Sequence, residues 1–395
     1  MHLIPATSDY VLSARALPGF PILLWEDMRS CTPVNEFFRF YLLRGAIGSD
    51  ASWAPIAQSL YDYFGFLEAN GLEWNSPNVD ETRPLVAAYR DYCFKEIGLQ
   101  RSTVRLRILY VCEFYAFAHR RGWVEHLPFD YEERRGSARD GLLAHLDTSN
   151  GRVKVRSPMP KKHPGLPKFL TKEQAQQVIG AAQNKHHNII IRTALGIGLR
   201  REELASFPAS YVFNPDKGSG GRNVRLLLDP SDGSGMRTKG SRPRVVLFSR
   251  ELMRLLNHYM VHYRGERASL HSPPYPNLFL TQDGTPWAGN GKGIEAMVRK
   301  VGRQLGISVA PHMLRHTYAT HTLARLQTQR DVLRQEPIVF LQKQLGHSSP
   351  TQTMVYLHIV NDLADAAALT YETELDDWRE AQAQWERERS LSKPV

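Results

Sequence analysis

Four short segments in the second half of the chain carry residues that could act together on one phosphate. "GLRREEL" places Arg200 and Glu203 one helical turn apart. "MRTKGSRPRVVLF" holds Lys239 just before a glycine, in a turn between two apolar runs. "PHMLRHTYATH" sets His312 and Arg315 at i and i+3, so both project from one helix face. "QLGHSSPTQTMVYLHI" (residues 344–359) places Tyr356 nine residues after His347. Singly, each has a bland reading: a surface ion pair, a chance HxxR, a solvated turn lysine, a core tyrosine.

Together they hold what metal-free phosphodiester cleavage requires. The transition state spreads negative charge over the non-bridging oxygens, and two arginines can clamp these with planar donors that stay charged. An imidazole can help take a proton from an attacking hydroxyl. A lysine near the phosphate can protonate the leaving 5′ oxygen. A phenol, with a pKa of about 10, ionises more readily than an aliphatic hydroxyl. Its phosphate ester is also the better leaving group, so a covalent step can be reversed. Tyr318 is a rival nucleophile in the HxxR helix, where His316 and His321 also crowd, and Arg237 and Arg242 are rivals of Lys239. His358 has no assigned role.

Other chemistries fit less well. The chain has no HExxH, no Cys/His zinc spacing, no GxxxxGK[ST] loop and no GxSxG elbow. His186 and His187 are adjacent, so they point to different sides of a helix. No metal site and no cofactor are expected. Cys31, Cys93 and Cys112 lie far apart, which argues against a disulfide framework and for a reducing cytosol. The N-terminus does not read as a signal peptide, and no run of about 18 apolar residues exists. The expectation is a soluble cytoplasmic protein that does not contact a membrane. A net charge of +10 favours a polyanionic partner.

These 395 residues suggest two or three domains. Residues 1–33 are mixed, punctuated by proline and unassigned; an arm-site module is one reading, although no DNA-binding fold is evident in them. Residues 34–135 read as a small all-helical domain. Trp53, Ile56, Leu60, Phe64 and Leu67 share a helix face, and Asn70-Gly71 ends that helix. A second helix is expected after an N-cap at Ser102, with Ile108, Val111, Tyr115 and Ala118 as its stripe and Arg120-Arg121-Gly122 as its stop.

The stretch 136–168 is a basic, Pro-rich linker. Over 151–168 it carries six cations (Arg152, Lys154, Arg156, Lys161, Lys162, Lys168), no acid and four prolines. The prolines argue against a regular element and for extended backbone. A solvated linker and one lying on DNA phosphates are both open. A mixed domain, 169–371, opens with a capping box at Thr171 and Gln174, contains β-rich "NVRLLLDP" and "RPRVVLF", and turns helical again at Ser249. The tail, 372–395, has seven acids against four cations, with Leu375, Trp378 and Trp385 on one helical face. It suits docking on a neighbouring protomer or packing on its own domain.

The order Arg, Lys, HxxR, His, Tyr, with "LGH" nine residues before the tyrosine, resembles the tyrosine recombinases, the phage-type integrases. The resemblance covers roughly 34–370 and includes "YDYFGFLEANG" and "VCEFYAFAHRRGWVEHLPF". It implies a mainly α fold with a small antiparallel β-sheet (α+β), made of an N-terminal helical SAM-like core-binding domain and a catalytic domain. The two would form a C-shaped clamp round double-stranded DNA carrying specific recombination sites. Arg200 and Arg315 would clamp the phosphate, and Lys239 would be the general acid. His312 would assist proton transfer at the nucleophile, and His347 would hydrogen-bond the phosphate. Tyr356 would attack, leaving a 3′-phosphotyrosyl link, and Glu203 would support the site. Four protomers would exchange strands through a Holliday junction without metal or ATP, with accessory DNA-bending or directionality proteins as further partners. The alternatives are a type IB topoisomerase-like strand transferase, a catalytically silent DNA-binding regulator and an ordinary metal nuclease.

Overall fold

The computed structural model describes residues 1–12, 14–44, 47, 50–76, 84–135, 152–161, 166–217, 221, 223–328 and 336–361. The acidic tail, Lys162 and the whole of 136–151 lie outside the described residues. The chain divides into two compact units, Met1–Pro164 and Gly165–Val395.

The first unit is built on helices α1 (Thr32–Leu42), α2 (Trp53–Ala69), α3 (Leu85–Lys95) and α4 (Arg101–Arg120). The expected stripes are its core: Trp53, Ile56, Leu60, Phe64 and Leu67 on α2, and Ile108, Val111, Tyr115 and Ala118 on α4, are all buried. Two hydroxyls inside it satisfy each other. The Tyr63 and Tyr115 hydroxyls lie 2.7 Å apart, and Tyr115 donates onward to the Trp74 carbonyl at 3.0 Å.

Three details differ from the sequence expectation. First, the N-cap of α4 is Gln100, whose backbone is extended, and Ser102 lies inside the first turn. The serine therefore leaves the cap to the last extended residue before the turn. Second, residues 1–33 are part of the helical unit. Strand β1 (His2–Pro5) pairs antiparallel with β4 (Pro21–Leu24), while β2 (Val11–Leu12) and β3 (Arg15–Ala16) form a small hairpin between them. Leu17, Phe20, Leu23 and Cys31 enter the same core as α1–α4. Asn35 on α1 accepts from the Leu23 amide and donates to the Leu23 carbonyl, both at 2.8 Å, tying strand to helix.

Third, Arg152–Arg156 is a regular strand, β6, paired antiparallel with β5 (Tyr131–Arg135). The first proline of the stretch is Pro158, so Arg-Val-Lys-Val-Arg is free to alternate as a strand. Arg156 then pairs with Glu113 of α4 at 2.6 Å.

The second unit opens as the sequence suggests. Thr171 and Gln174 form a reciprocal capping box at α5 (Lys172–Ala181). Helix α6 (Lys185–Ile197) runs into the short α7 (Arg201–Ala205). The two β-rich runs become β7 (Asn223–Leu228) and β8 (Arg244–Ser249), antiparallel in the register Leu228↔Arg244. Ser249 caps α8 (Arg250–His262), accepting from the Leu252 amide. After α9 (Gly265–Ala268) come α10 (Ala288–Gln304), α11 (Pro311–Thr328) and α12 (Pro337–Leu345), then a terminal helix over residues 351–361.

The main core joins Ile190, Ile197, Leu204, Phe207, Val246, Leu256, Phe279 and Leu314. A smaller cluster, Ala319, Leu323, Leu341, Leu345, Tyr356, Ile359 and Val360, fastens the terminal helix to α11 and α12. The fold is mainly α with small antiparallel sheets. Among the described residues, no helix is long and apolar enough to cross a membrane.

Candidate active site

Helix α6 ends on Gly198, whose φ of 75° lies in the left-handed region. A Cβ there would press into the ring of Tyr318 on α11, so this turn needs glycine. The turn delivers Arg200 to the N-cap of α7 in an extended conformation. From there the Arg200 amide donates to Glu203 Oε2 at 2.7 Å, and Nη1 donates to Oε1 at 3.0 Å.

Glu203 is only 1% exposed and also receives Arg244 of β8 in a two-pronged grip, Nη1 to Oε1 at 2.6 Å and Nη2 to Oε2 at 2.8 Å. Burial alone would raise this carboxyl. The Arg244 hydrogen bonds and charge, with Arg200 and Arg315 beyond, hold it instead at about 2.

The C-terminus of α12 gathers the arginines. A helix end leaves carbonyls without intrahelical partners and carries partial negative charge. Here three consecutive carbonyls each accept a different guanidinium: Gln344 from Arg244 Nε at 3.2 Å, Leu345 from Arg315 Nη2 at 2.6 Å and Gly346 from Arg200 Nη2 at 3.0 Å. Arg315, 1% exposed, also donates through Nη1 to the Gly198 carbonyl at 2.6 Å. Burial first, and Arg200 second, lower its guanidinium to about 9, so it stays cationic at neutral pH.

The same helix end positions the histidine. Gly346 caps α12 with φ 63°, and the His347 amide closes the turn onto the Gln342 carbonyl at 3.1 Å. The His347 ring lies within hydrogen-bond distance of Thr353 Oγ1, 2.9 Å from Nδ1, and stacks parallel to Tyr356 with centroids 6.3 Å apart. Burial, then Arg315 and Arg200, pull His347 down to about 3, so its imidazole is neutral near pH 7. The buried Gln344 side chain pins α12 to β8, accepting from the Leu247 amide at 2.8 Å and donating to the Leu247 carbonyl at 2.9 Å.

Tyr356 is 2% exposed, and its hydroxyl meets His316 Nδ1 at 2.7 Å. Burial raises the phenol's pKa, while Arg315 and Arg200 oppose that rise. His312 sits one turn before His316, ring centroids 4.4 Å apart. Its pKa is lowered by burial, then by Arg315, Arg200 and Lys239. Lys239 is exposed in the β7–β8 turn, where Gly240 and Ser241 both have positive φ, and its link to the site is this charge on His312.

Arg200 meets Glu203 directly, Arg200 and Arg315 share the end of α12 that leads into His347, His347 stacks on Tyr356, His312 reaches Tyr356 through His316, and Lys239 joins by charge. Tyr318 packs under Gly198, and burial lifts its phenol to about 12. In the basic stretch, Lys154, Lys161 and Lys168 are exposed, whereas Arg156 is engaged with Glu113.

Two residues of the site were given no role by the sequence. Arg244 shares a strand face with the buried Val246 and Phe248, so its register alone signals an inward-facing cation needing a partner. His316 lies at i+4 from His312, on the same face of α11.

Residues 168–362 match the model of the phage integrase family. The chain is 30% identical over 212 residues to tyrosine recombinase XerA of Saccharolobus solfataricus, covering 53% of this chain and 58% of that one. It is 26% identical over 312 residues to tyrosine recombinase XerC of Bacillus licheniformis, covering 77% and 84%. Among solved structures, the Tn1549 transposon integrase in complex with transposon right end DNA aligns with TM-score 0.54 at 18% identity, over 82% of this chain and 93% of that one. A lambda integrase dimer bound to a COC′ core site aligns with TM-score 0.53 at 12% identity, over 82% and 94%. Residues 168–362, about half of the chain, thus match the phage integrase family, the tyrosine recombinases.

Proposed function

We propose that this protein is a site-specific DNA recombinase that cuts and rejoins strands through a 3′-phosphotyrosyl intermediate. The observation that carries the reading is the setting of Tyr356. Its phenol lies beside His347 and close enough to Arg200 and Arg315 for their charge to counter its burial.

In this reading Arg200 and Arg315 clamp the scissile phosphate, with Glu203 and the α12 carbonyls fixing their direction. Neutral His347 donates a hydrogen bond to a phosphate oxygen, and His312 assists proton transfer at the nucleophile. Tyr356 attacks phosphorus while Lys239 protonates the departing 5′ oxygen. The arginines supply the charge stabilisation that a metal gives elsewhere, and the phosphotyrosyl ester keeps the bond energy, so neither metal nor ATP is required.

The partner is double-stranded DNA carrying recombination sites, gripped by both units. The cations Arg152, Lys154, Arg156, Lys161, Lys162 and Lys168 lie along its backbone, Arg156 exchanging Glu113 for phosphate. Four protomers pair two sites and pass through a Holliday junction, with accessory DNA-bending or directionality proteins as further partners. The acidic tail, 372–395, docks on the neighbouring protomer.

A nicked suicide duplex, made from the recombination junction sequenced beside this gene, tests the core of the reading. Wild-type protein should trap a covalent protein–DNA adduct in EDTA, and Tyr356→Phe should trap none. An adduct with the Phe variant would refute the nucleophile.

A further inference from the structure

The residue touching the reacting hydroxyl is His316, whose Nδ1 lies 2.7 Å from the Tyr356 oxygen. Several features make this contact more than packing. The ring and the phenol are 5.6 Å apart at centroids, tilted by 50°, so they meet through nitrogen and oxygen rather than face to face. His316 follows the buried Arg315 on α11, so a change in its position would be felt by the arginine beneath it. Tyr356 is fixed from the other side by Ile359, Val360 and Leu345 in the small core. Tyr356 cannot drift from the imidazole without unpacking that core.

We propose that His316 is a catalytic residue of the cleavage step, accepting the Tyr356 proton directly as the phenol attacks DNA. This rests on the proposed function. In the tautomer protonated at Nε2, Nδ1 holds a free lone pair and the phenol donates to it. The O–H bond of Tyr356 breaks as the Nδ1–H bond forms. The phenol oxygen bonds to phosphorus, the bond from phosphorus to the 5′ oxygen breaks, and that oxygen takes a proton from Lys239. On rejoining, the 5′ hydroxyl gives its proton back to the neutral Lys239 amine as its oxygen bonds to phosphorus, the phosphorus–Tyr356 oxygen bond breaks, and the His316 imidazolium returns its proton to that departing oxygen. His312 then assists through His316, its neighbour at 4.4 Å, rather than at the phenol itself.

The electrostatics agree. Burial, then His312 and Arg315, pull His316 down to about 4, so it is neutral and able to accept near pH 7. The charged or titratable groups facing it are His312 and Arg315 on its own helix, Tyr356 on the terminal helix and His347 on the turn after α12, with Arg200 beyond. The incoming phosphate offsets Arg200 and Arg315, so His316 becomes more basic when the proton must move. Such a weak base in the free protein keeps the phenol protonated until DNA arrives.

The experiment uses the full chain and the same nicked duplex, with His316→Ala and His316→Asn. The asparagine oxygen can occupy the place of Nδ1, keeping the hydrogen bond without the basicity. Melting temperature and affinity for the duplex report whether each variant is folded and bound. Both variants should form adduct about 10²–10⁴-fold more slowly at pH 7. Without the base, only phenolate attacks, so the rate in His316→Ala should rise about tenfold per pH unit between 6.5 and 8.5, where wild type is flatter. A substrate whose leaving 5′ oxygen is replaced by sulfur needs no proton there. It should relieve Lys239→Ala and leave the His316 deficit in place.

The proposal is overturned by rates within threefold of wild type in either variant, by full activity of His316→Asn, or by relief with the sulfur substrate. If Tyr356→Phe still forms adduct, the reading of the nucleophile fails instead, whatever the His316 variants do.

Discussion

Replacing Glu203 by glutamine removes the one carboxylate, among the described residues, that faces Arg200, Arg244 and Arg315, while keeping its shape. Held at about 2 against an ordinary 4.5, and 1% exposed, the carboxyl contributes about 3 kcal/mol to the folded state at neutral pH, at about 1.36 kcal/mol per pH unit. The figure agrees with the cost of breaking a buried ion pair, roughly 3–5 kcal/mol. The folded pKa is depressed, so this stability is complete above the unfolded value and is lost as pH falls through 4.5 towards 2. At pH 3.5 the difference between wild type and Glu203→Gln should shrink to about 2 kcal/mol.

Urea unfolding at several pH values is the assay, read on the transition of the second unit. With a slope of about 2 kcal/mol per M, the midpoint should drop by about 1.5 M at pH 7 and by less in acid. Adduct formation should fall with it, because Arg200 loses the group that orients it. A midpoint unchanged at pH 7, or a difference that does not narrow in acid, would show that the three arginines do not depend on Glu203.

Gly346→Ala should be damaging out of proportion to its size. Its φ of 63° costs a side chain about 1–2 kcal/mol, and the new Cβ would stand 2.8 Å from Arg244 Cδ. The carbonyl holding Arg200 would shift, so adduct formation should drop at least tenfold while affinity for the duplex, measured by fluorescence anisotropy, stays within a few-fold of wild type. A second expectation concerns acid. His316 and His347 are held at about 4 and about 3, well below an ordinary 6.5, so the unfolded chain binds their protons first. Stability should therefore fall as pH drops from 6.5 towards 4, by up to about 1.4 kcal/mol per pH unit for each ring. Melting scans of wild type and the His316→Asn/His347→Asn double variant, which should flatten this slope, check it.

Much of the architecture was legible because it follows from local periodicity. The stripes of α2 and α4, the capping box at Thr171 and the two runs that became β7 and β8 each report what a short segment must bury or cap. The N-terminal 33 residues resisted because their strands are short, and their apolar residues find a partner only in helices far along the chain. Ser102 misled for a related reason: several residues near a helix start can cap it, and backbone geometry decides among them. Arg152–Arg156 lay in a stretch dominated by downstream prolines, and its partner β5 is separated from it by an intervening segment.

For the candidate site, the sequence by itself determined the set of side-chain types and their order: two arginines, a turn lysine, two histidines and a late tyrosine. Residue identity and spacing along a helix are local properties, so they survive without coordinates. Only the tertiary structure decided how the set is held. The meeting of Glu203 with Arg244, the three carbonyls of α12 on three guanidiniums, and His316 against Tyr356 join residues 30 to 146 positions apart. Such contacts leave little periodic trace, because a buried charge or imidazole is defined by the partner that satisfies it, and that partner is set by packing.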